Sequence, residues 1–300
     1  MEKVAFTVPK VLSDDEMKRH MGDFFDATYY NFFVDQSADI YTENGTLLFS
    51  LQKNVIPNYL TEKGVLSFKE AARKSRTNSR GIASGKVDLT RINGNVVGVT
   101  SPGKYKTNVI FDDGTISNYK VANTVPSMIA GYYDKPNRKA YNRSNIPCRK
   151  TAFTRDQVVK WEEALPLIQY VDYLYEYTYP NKYYEQRALA DKIPEYAIDD
   201  TSFTTITVNH NWRTAAHIDS GDLHDGYSAL IVCEEGDWSG CYIGYPQYGI
   251  CANLREGDFC LMNPHEWHAN TELYLHSEDA CRISIVMYFR EGMLKCADQL

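Results

Sequence analysis

The chain has 300 residues and a mass of 34.3 kDa, enough for one large domain or two modest ones around an ample buried core. No apolar run approaches the ~20 residues that span a bilayer, and the N-terminal stretch places Asp, Glu and Lys where an export signal needs apolar residues. A membrane protein and a secreted one are therefore not expected; an intracellular one is, in the cytoplasm of a microbe or virus-infected cell, or in a nucleus.

The net charge of −7 hides an asymmetry. Residues 1–150 hold 22 Lys and Arg against 15 Asp and Glu, a net of +7, whereas residues 151–300 hold 10 against 24, a net of −14. The excess is concentrated in residues 70–150, with a net of +10. A basic segment on an acidic protein suggests local contact with a polyanion; the alternative is an ordinary solvated surface. The seven cysteines include no C-x-x-C pair and read as small buried thiols in a reducing compartment.

In chain order, Ser13-Asp-Asp-Glu16 is a capping box opening a short helix, followed by an aromatic cluster from Phe24 to Phe33. Residues 39–50 read as a hairpin turning at Asn44-Gly45. Ser67-Phe-Lys-Glu70 reads as the cap of a brief helix leading into a cationic stretch with Arg73, Lys74, Arg76, Asn78, Arg80 and Lys86. Hairpin turns follow at Asn93-Gly94 and Asp113-Gly114, and residues 122–150, with Pro126, Pro136 and Pro147, read as a long loop. Thr154-Arg-Asp-Gln157 caps a helical region to about residue 178, broken or restarted at Pro166, and a second helix covers about 182–192.

From Thr201 onwards the texture changes to short strands separated by turns, the pattern of a sandwich or jelly roll. The expected strands are 203–208, 214–217, 227–233, 241–244, 249–253, 258–262, 267–272 and 281–288. The fold expected is thus α+β: a C-terminal double-stranded β-helix core with packing helices, preceded by a basic region of helices and hairpins. Residues 1–150 are expected to form that basic region, contacting a polyanion and packed on the core, and residues 151–300 the helices and jelly roll, together one compact unit.

Within the strand-rich half, His217 and Asp219 project the same way from an extended segment, since strand side chains alternate with period two. A later His and an Arg-x-Ser, Arg282 and Ser284, follow. Two imidazoles and a carboxylate suit Fe(II), whereas a catalytic zinc more often takes three His or His-Glu-x-x-His. The third ligand is His268 or His265; the β-rich run after Pro264 favours His268, with Asn270 behind it. Arg282 offers a fork for a carboxylate, that of 2-oxoglutarate or of a neighbouring acid such as Glu278 or Asp279.

These residues, with Thr204–Asn209, Arg213–Asp219, Gly221-Asp222, Gly226, Gly257-Asp258 and His265–Asn270, resemble the TET/J-binding-protein family of Fe(II)- and 2-oxoglutarate-dependent dioxygenases. The resemblance covers about residues 200–290, with a weaker echo in Ser79–Gly85, and is nearest the compact viral or microbial type. It implies Fe(II) held by His217, Asp219 and His268, 2-oxoglutarate held by Arg282 with Ser284 and Asn209, and O₂ as oxidant. It implies hydroxylation of the C5-methyl of 5-methylcytosine in DNA, with the base flipped into the pocket by a monomeric enzyme. Asp222 and Arg213 would contact base or phosphate, and the Arg73–Lys86 segment would grip the backbone. Thymine is the alternative base. Two rivals stand beside this reading: a hydroxylase of a metabolite or protein, and a DNA-binding jelly roll without activity.

Overall fold

The computed structural model describes residues 4–77, 79–134 and 148–299. A nine-stranded sheet dominates it. From one edge to the other its strands are Val4–Val8, Ala38–Thr42, Leu47–Gln52, Phe259–Met262, Ser228–Glu235, Cys281–Tyr288, Thr205–His210, Ser127–Tyr133 and Arg149–Lys150. A four-stranded sheet, in the order Ala269–Asn270, Ile243–Tyr245, Ile250–Ala252 and Phe32–Val34, accompanies it. Together they make the expected jelly roll, and the N-terminal half supplies strands to both sheets.

Alternation decides what each face of the large sheet meets. On the Cys281–Tyr288 strand, Ile283, Ile285 and Met287 join a core shared with the helices Asn58–Lys74 and Val158–Thr178, through Phe68, Leu167, Ile168 and Val171. Arg282, Ser284, Val286 and Tyr288 face the other way, into a cavity. A second apolar core, including Ile40, Phe49, Leu51, Val232, Tyr245 and Ile250, joins residues of both sheets; the Phe49 and Tyr245 rings stack there at 5.1 Å.

Several expectations are corrected. The first long helix begins at Asn58, so Ser67 is a buried residue of its interior rather than a cap. Gly64 explains the path: a Cβ there would lie 2.7 Å from Leu167 and 2.9 Å from the Cys233 sulfur. Pro166 does not interrupt the Val158–Thr178 helix, because it sits on the solvent side, where its missing N–H and ring are tolerated. The cap before that region is Thr151. Asn93-Gly94 does not join paired strands, since Val96–Val99 pairs with Val109–Phe111 further on. The long loop contains the strand Ser127–Tyr133, paired with Thr205–His210; Pro136 and Pro147 lie outside the described residues. Cys148 and Cys296 form a disulfide, leaving five buried free thiols. Among the described residues no helix is long and apolar enough to cross a membrane.

Candidate active site

Two irregular segments meet at the mouth of the jelly roll. His217 and His268 form an isolated antiparallel rung, each amide donating to the other's carbonyl at 3.0 Å. The Asn270 amide bonds the Thr214 carbonyl at 2.9 Å, and the Thr214 hydroxyl donates to Asn270 Oδ1 at 2.9 Å, pinning the strands in register. The Asp219 amide donates to the Pro264 carbonyl at 2.9 Å. The expected strand 214–217 is therefore a short extended segment held by rungs and side chains.

The ligand atoms of His217, Asp219 and His268 lie within 4.8 Å of one another. The Asp219 carboxylate spans the two imidazoles, 3.5 Å from each Nε2. Each Nδ1 is engaged by a carbonyl nearby in the chain, Ala215 at 2.7 Å and Glu266 at 2.9 Å. A carbonyl only accepts, so each Nδ1 carries the hydrogen and each Nε2 presents its lone pair to the shared point. Burial, reinforced by His268, lowers the His217 pKa to about 4. Burial works against the Asp219 carboxylate, but its surroundings, the Arg80 guanidinium among them, hold its pKa well below the usual carboxylate range. Neutral imidazoles and an ionised carboxylate are the protonation states a divalent metal needs. Two nitrogens and one carboxylate on a single side, with the cavity opposite, fit non-haem Fe(II).

His265 stands apart: its Nε2 faces the Leu223 carbonyl at 2.9 Å. Of the two histidines the sequence left open, His268 is the one brought to Asp219.

The cavity has a volume of about 570 Å³. Arg282 lines it, 2% exposed, with an unpartnered Nε and no ion pair among the described residues. Ser284 and Asn209 lie alongside, joined by a 3.3 Å hydrogen bond from Asn209 Nδ2 to Ser284 Oγ. A buried fork that lacks a counter-ion but opens on a cavity is built for an anionic guest. Asp222 also lines the cavity and accepts from the Ser228 hydroxyl at 2.7 Å; burial and the adjacent Asp219 push its carboxyl well up.

The cationic segment divides. Arg80 turns into the cavity, donating from Nε to Ser127 Oγ at 2.7 Å, from Nη2 to the Met128 carbonyl at 2.8 Å and from Nη1 to Thr207 Oγ1 at 3.3 Å. Its charge helps keep Asp219 ionised. Arg73 and Lys74 pair with Glu70, Arg76 donates to the backbone carbonyls of Arg73 and Ser75, and all three are exposed. Lys86 pairs with Asp23. Arg213 lies off the cavity, bound to Asp26 at 3.0 Å and over the Phe24 ring. Asn78 lies outside the described residues.

Sequence reasoning missed Tyr288 and Arg290. The first was available from alternation, since it follows Arg282 by an even number of positions on one strand and lines the cavity. Arg290, just beyond the strand, also lines the cavity and is anchored from behind by Asp134.

A family model described as the oxygenase domain of the 2OGFeDO superfamily, Tet_JBP, matches residues 128–291, more than half of the chain. The thymine dioxygenase JBP1 of Trypanosoma brucei brucei is 34% identical over 169 residues, 56% of this chain and 19% of that protein. The thymine dioxygenase JBP1-B of Trypanosoma cruzi (strain CL Brener) is 35% identical over 171 residues, 56% of this chain and 20% of that protein. The chain thus spans about a fifth of the length of these curated relatives. A solved structure of NgTET1 with 5mC DNA superposes with a TM-score of 0.46 at 12% identity, over 94% of this chain and 92% of that one. With the metal triad, the open cavity and the family match in hand, the chain belongs to the TET/JBP family of Fe(II)- and 2-oxoglutarate-dependent dioxygenases.

Proposed function

We propose that this protein hydroxylates the C5-methyl group of a pyrimidine in DNA, and that the pyrimidine is thymine. The observation that carries the reading is one cavity holding both the His217, Asp219 and His268 triad and the uncompensated Arg282 fork. The sequence alone put 5-methylcytosine first on family frequency; both curated relatives described above are named thymine dioxygenases, which supports thymine.

When bound, Fe(II) with 2-oxoglutarate and O₂ supplies the oxidising power to hydroxylate a methyl C–H, with succinate and CO₂ as co-products. His217, Asp219 and His268 hold the metal from one side and leave the cavity side open. Arg282 takes the distal carboxylate of 2-oxoglutarate, and Ser284, oriented by Asn209, adds a hydroxyl beside it. The Ser127 hydroxyl donates to Asn209 Oδ1 at 2.6 Å and itself accepts from Arg80, so one chain of hydrogen bonds ties Arg80 to Ser284. The part of the cavity lined by Tyr288, Asp222 and Arg290 is left for the base; a ring face, a carboxyl and a guanidinium suit a flipped pyrimidine. About 570 Å³ is within the range of sites that hold small organic ligands. Exposed Lys74 and Arg76 would meet phosphates, which position DNA without reading its sequence.

The test is anaerobic loading with Fe(II), then O₂ and 2-oxoglutarate with duplexes containing either thymine alone or added 5-methylcytosine. Nucleosides are analysed by mass spectrometry, with a His217→Ala, Asp219→Ala protein as control. 5-Hydroxymethyluracil that depends on the triad is expected. Only 5-hydroxymethylcytosine would move the assignment to the other base. Turnover of 2-oxoglutarate with neither product would remove DNA as the substrate.

A further inference from the structure

Arg282 raises a problem of its own. A guanidinium 2% exposed is normally held by a carboxylate, because a buried cation otherwise loses its hydration without recompense. A candidate acid stands in the right place: Glu234 is the cross-strand partner of Arg282 in the antiparallel register. Yet among the described residues the two form no ion pair, and one oxygen of Glu234 has no hydrogen-bond partner. An aromatic ring faces the guanidinium instead. The Arg282 Cζ lies 5.4 Å from the centroid of Trp238, itself 7% exposed. The same indole carries the guanidinium of Arg255 at 3.9 Å. Trp238 is fixed by the strand Trp238–Gly240, which pairs with Leu273–Leu275.

The difference between a ring and a carboxylate matters to a co-substrate site. A carboxylate would satisfy the fork and compete with the incoming anion. A ring face attracts the cation through its quadrupole and leaves every N–H free for the guest.

We propose that Trp238 is a positioning residue for 2-oxoglutarate: its ring holds the Arg282 guanidinium in place without neutralising it, so that the fork stays charged and open for the distal carboxylate. This rests on the assignment of Arg282 to that carboxylate, and the experiment separates the two. Calorimetric titrations of the Mn(II)-loaded protein compare 2-oxoglutarate with 2-oxobutyrate, which lacks the distal carboxylate. Wild type is expected to prefer 2-oxoglutarate and Arg282→Met to lose the preference. If wild type does not discriminate, or Arg282→Met still does, the Arg282 assignment fails first. Given that assignment, Trp238→Leu weakens 2-oxoglutarate binding by roughly tenfold and leaves 2-oxobutyrate unchanged. Trp238→Phe, which keeps a ring, recovers most of the loss. In turnover the KM for 2-oxoglutarate rises while kcat at saturation holds. Equal weakening of both acids, or of neither, overturns the proposal. Should Trp238→Leu fail to take up Mn(II), Trp238→Met, which keeps bulk without a ring, decides: a loss confined to 2-oxoglutarate supports it, and parity with wild type sinks it.

Discussion

His217 and His268 are joined backbone to backbone before any metal joins their side chains: a reciprocal pair of 3.0 Å hydrogen bonds closes one rung between them. The peptide frame therefore sets the separation of the two imidazoles, and their Nδ1 hydrogens set their rotation. Removing a ligand so prepared costs more than removing a histidine nearby. His268→Ala is expected to weaken Mn(II) or Fe(II) binding by at least ~100-fold, beyond the effect of losing an outer partner. His265→Ala is expected to change it only a few-fold. Equilibrium dialysis of both variants checks the pair, and comparable losses would mean that the third ligand has been misassigned.

The pH dependence of the metal-free protein carries a signature of the same site. Burial holds His217 at a pKa of about 4 in the folded chain, against about 6.5 when unfolded. Between those values the unfolded chain binds a proton that the native protein refuses, so stability falls as pH drops through the window. The slope is at most about 1.4 kcal/mol per pH unit, and the effect vanishes above the unfolded value. Asp219, held at about 2, contributes stability that is lost only at lower pH. Urea unfolding at about pH 7 and about pH 5 should therefore show wild type losing more stability than His217→Gln. Parallel losses would mean that His217 titrates normally.

DNA binding should separate the two parts of the basic segment. Lys74 and Arg76 are exposed, so a Lys74→Ala, Arg76→Ala protein is expected to lower the slope of log affinity against log salt by about 0.9 for each phosphate no longer neutralised. Arg80→Met should leave that slope unchanged and lower Tm instead, since Arg80 spends its fork on Ser127, Met128 and Thr207 inside the cavity. Electrophoretic retardation at several salt concentrations measures the slope, and a drop on Arg80→Met would place that residue on phosphate after all.

Gly64 tests the packing of the helix layer. Alanine would ordinarily improve a helix by up to about 1 kcal/mol. Here the added methyl meets Leu167 at 2.7 Å and the Cys233 sulfur at 2.9 Å. Overpacking of this kind costs about 1–3 kcal/mol, so Gly64→Ala should lower Tm despite its better propensity. A raised Tm would show that the two helices can separate cheaply.

Part of the metal triad was legible because its geometry is local: His217 and Asp219 share a face by strand alternation, whereas the choice between His265 and His268 needed the rung that pairs His217 with His268. Arg282 and Ser284 were legible for the same reason. Arg80 was not, because charge composition registers how many cations a segment has and says nothing of which one turns inward. Ser67 misled in a similar way: Ser-x-x-Glu marks a helix start only when nothing helical precedes it, and Leu60, Val65 and Phe68 already packed that helix against its neighbour. The strand Ser127–Tyr133 was hidden among prolines and charges, and its place depends on a partner more than seventy positions away.

The Leu47–Gln52 strand lies against Phe259–Met262 and closes that side of the catalytic half. A shortened piece comprising only the family-matched residues 128–291 would lose this neighbour and, with it, the Asn58–Lys74 helix. The strand Phe259–Met262, buried throughout, would become a bare edge of unpaired amides and carbonyls beside uncovered apolar side chains. Such a piece is expected to associate with copies of itself through that edge, which the residues outside the match cover in the whole chain.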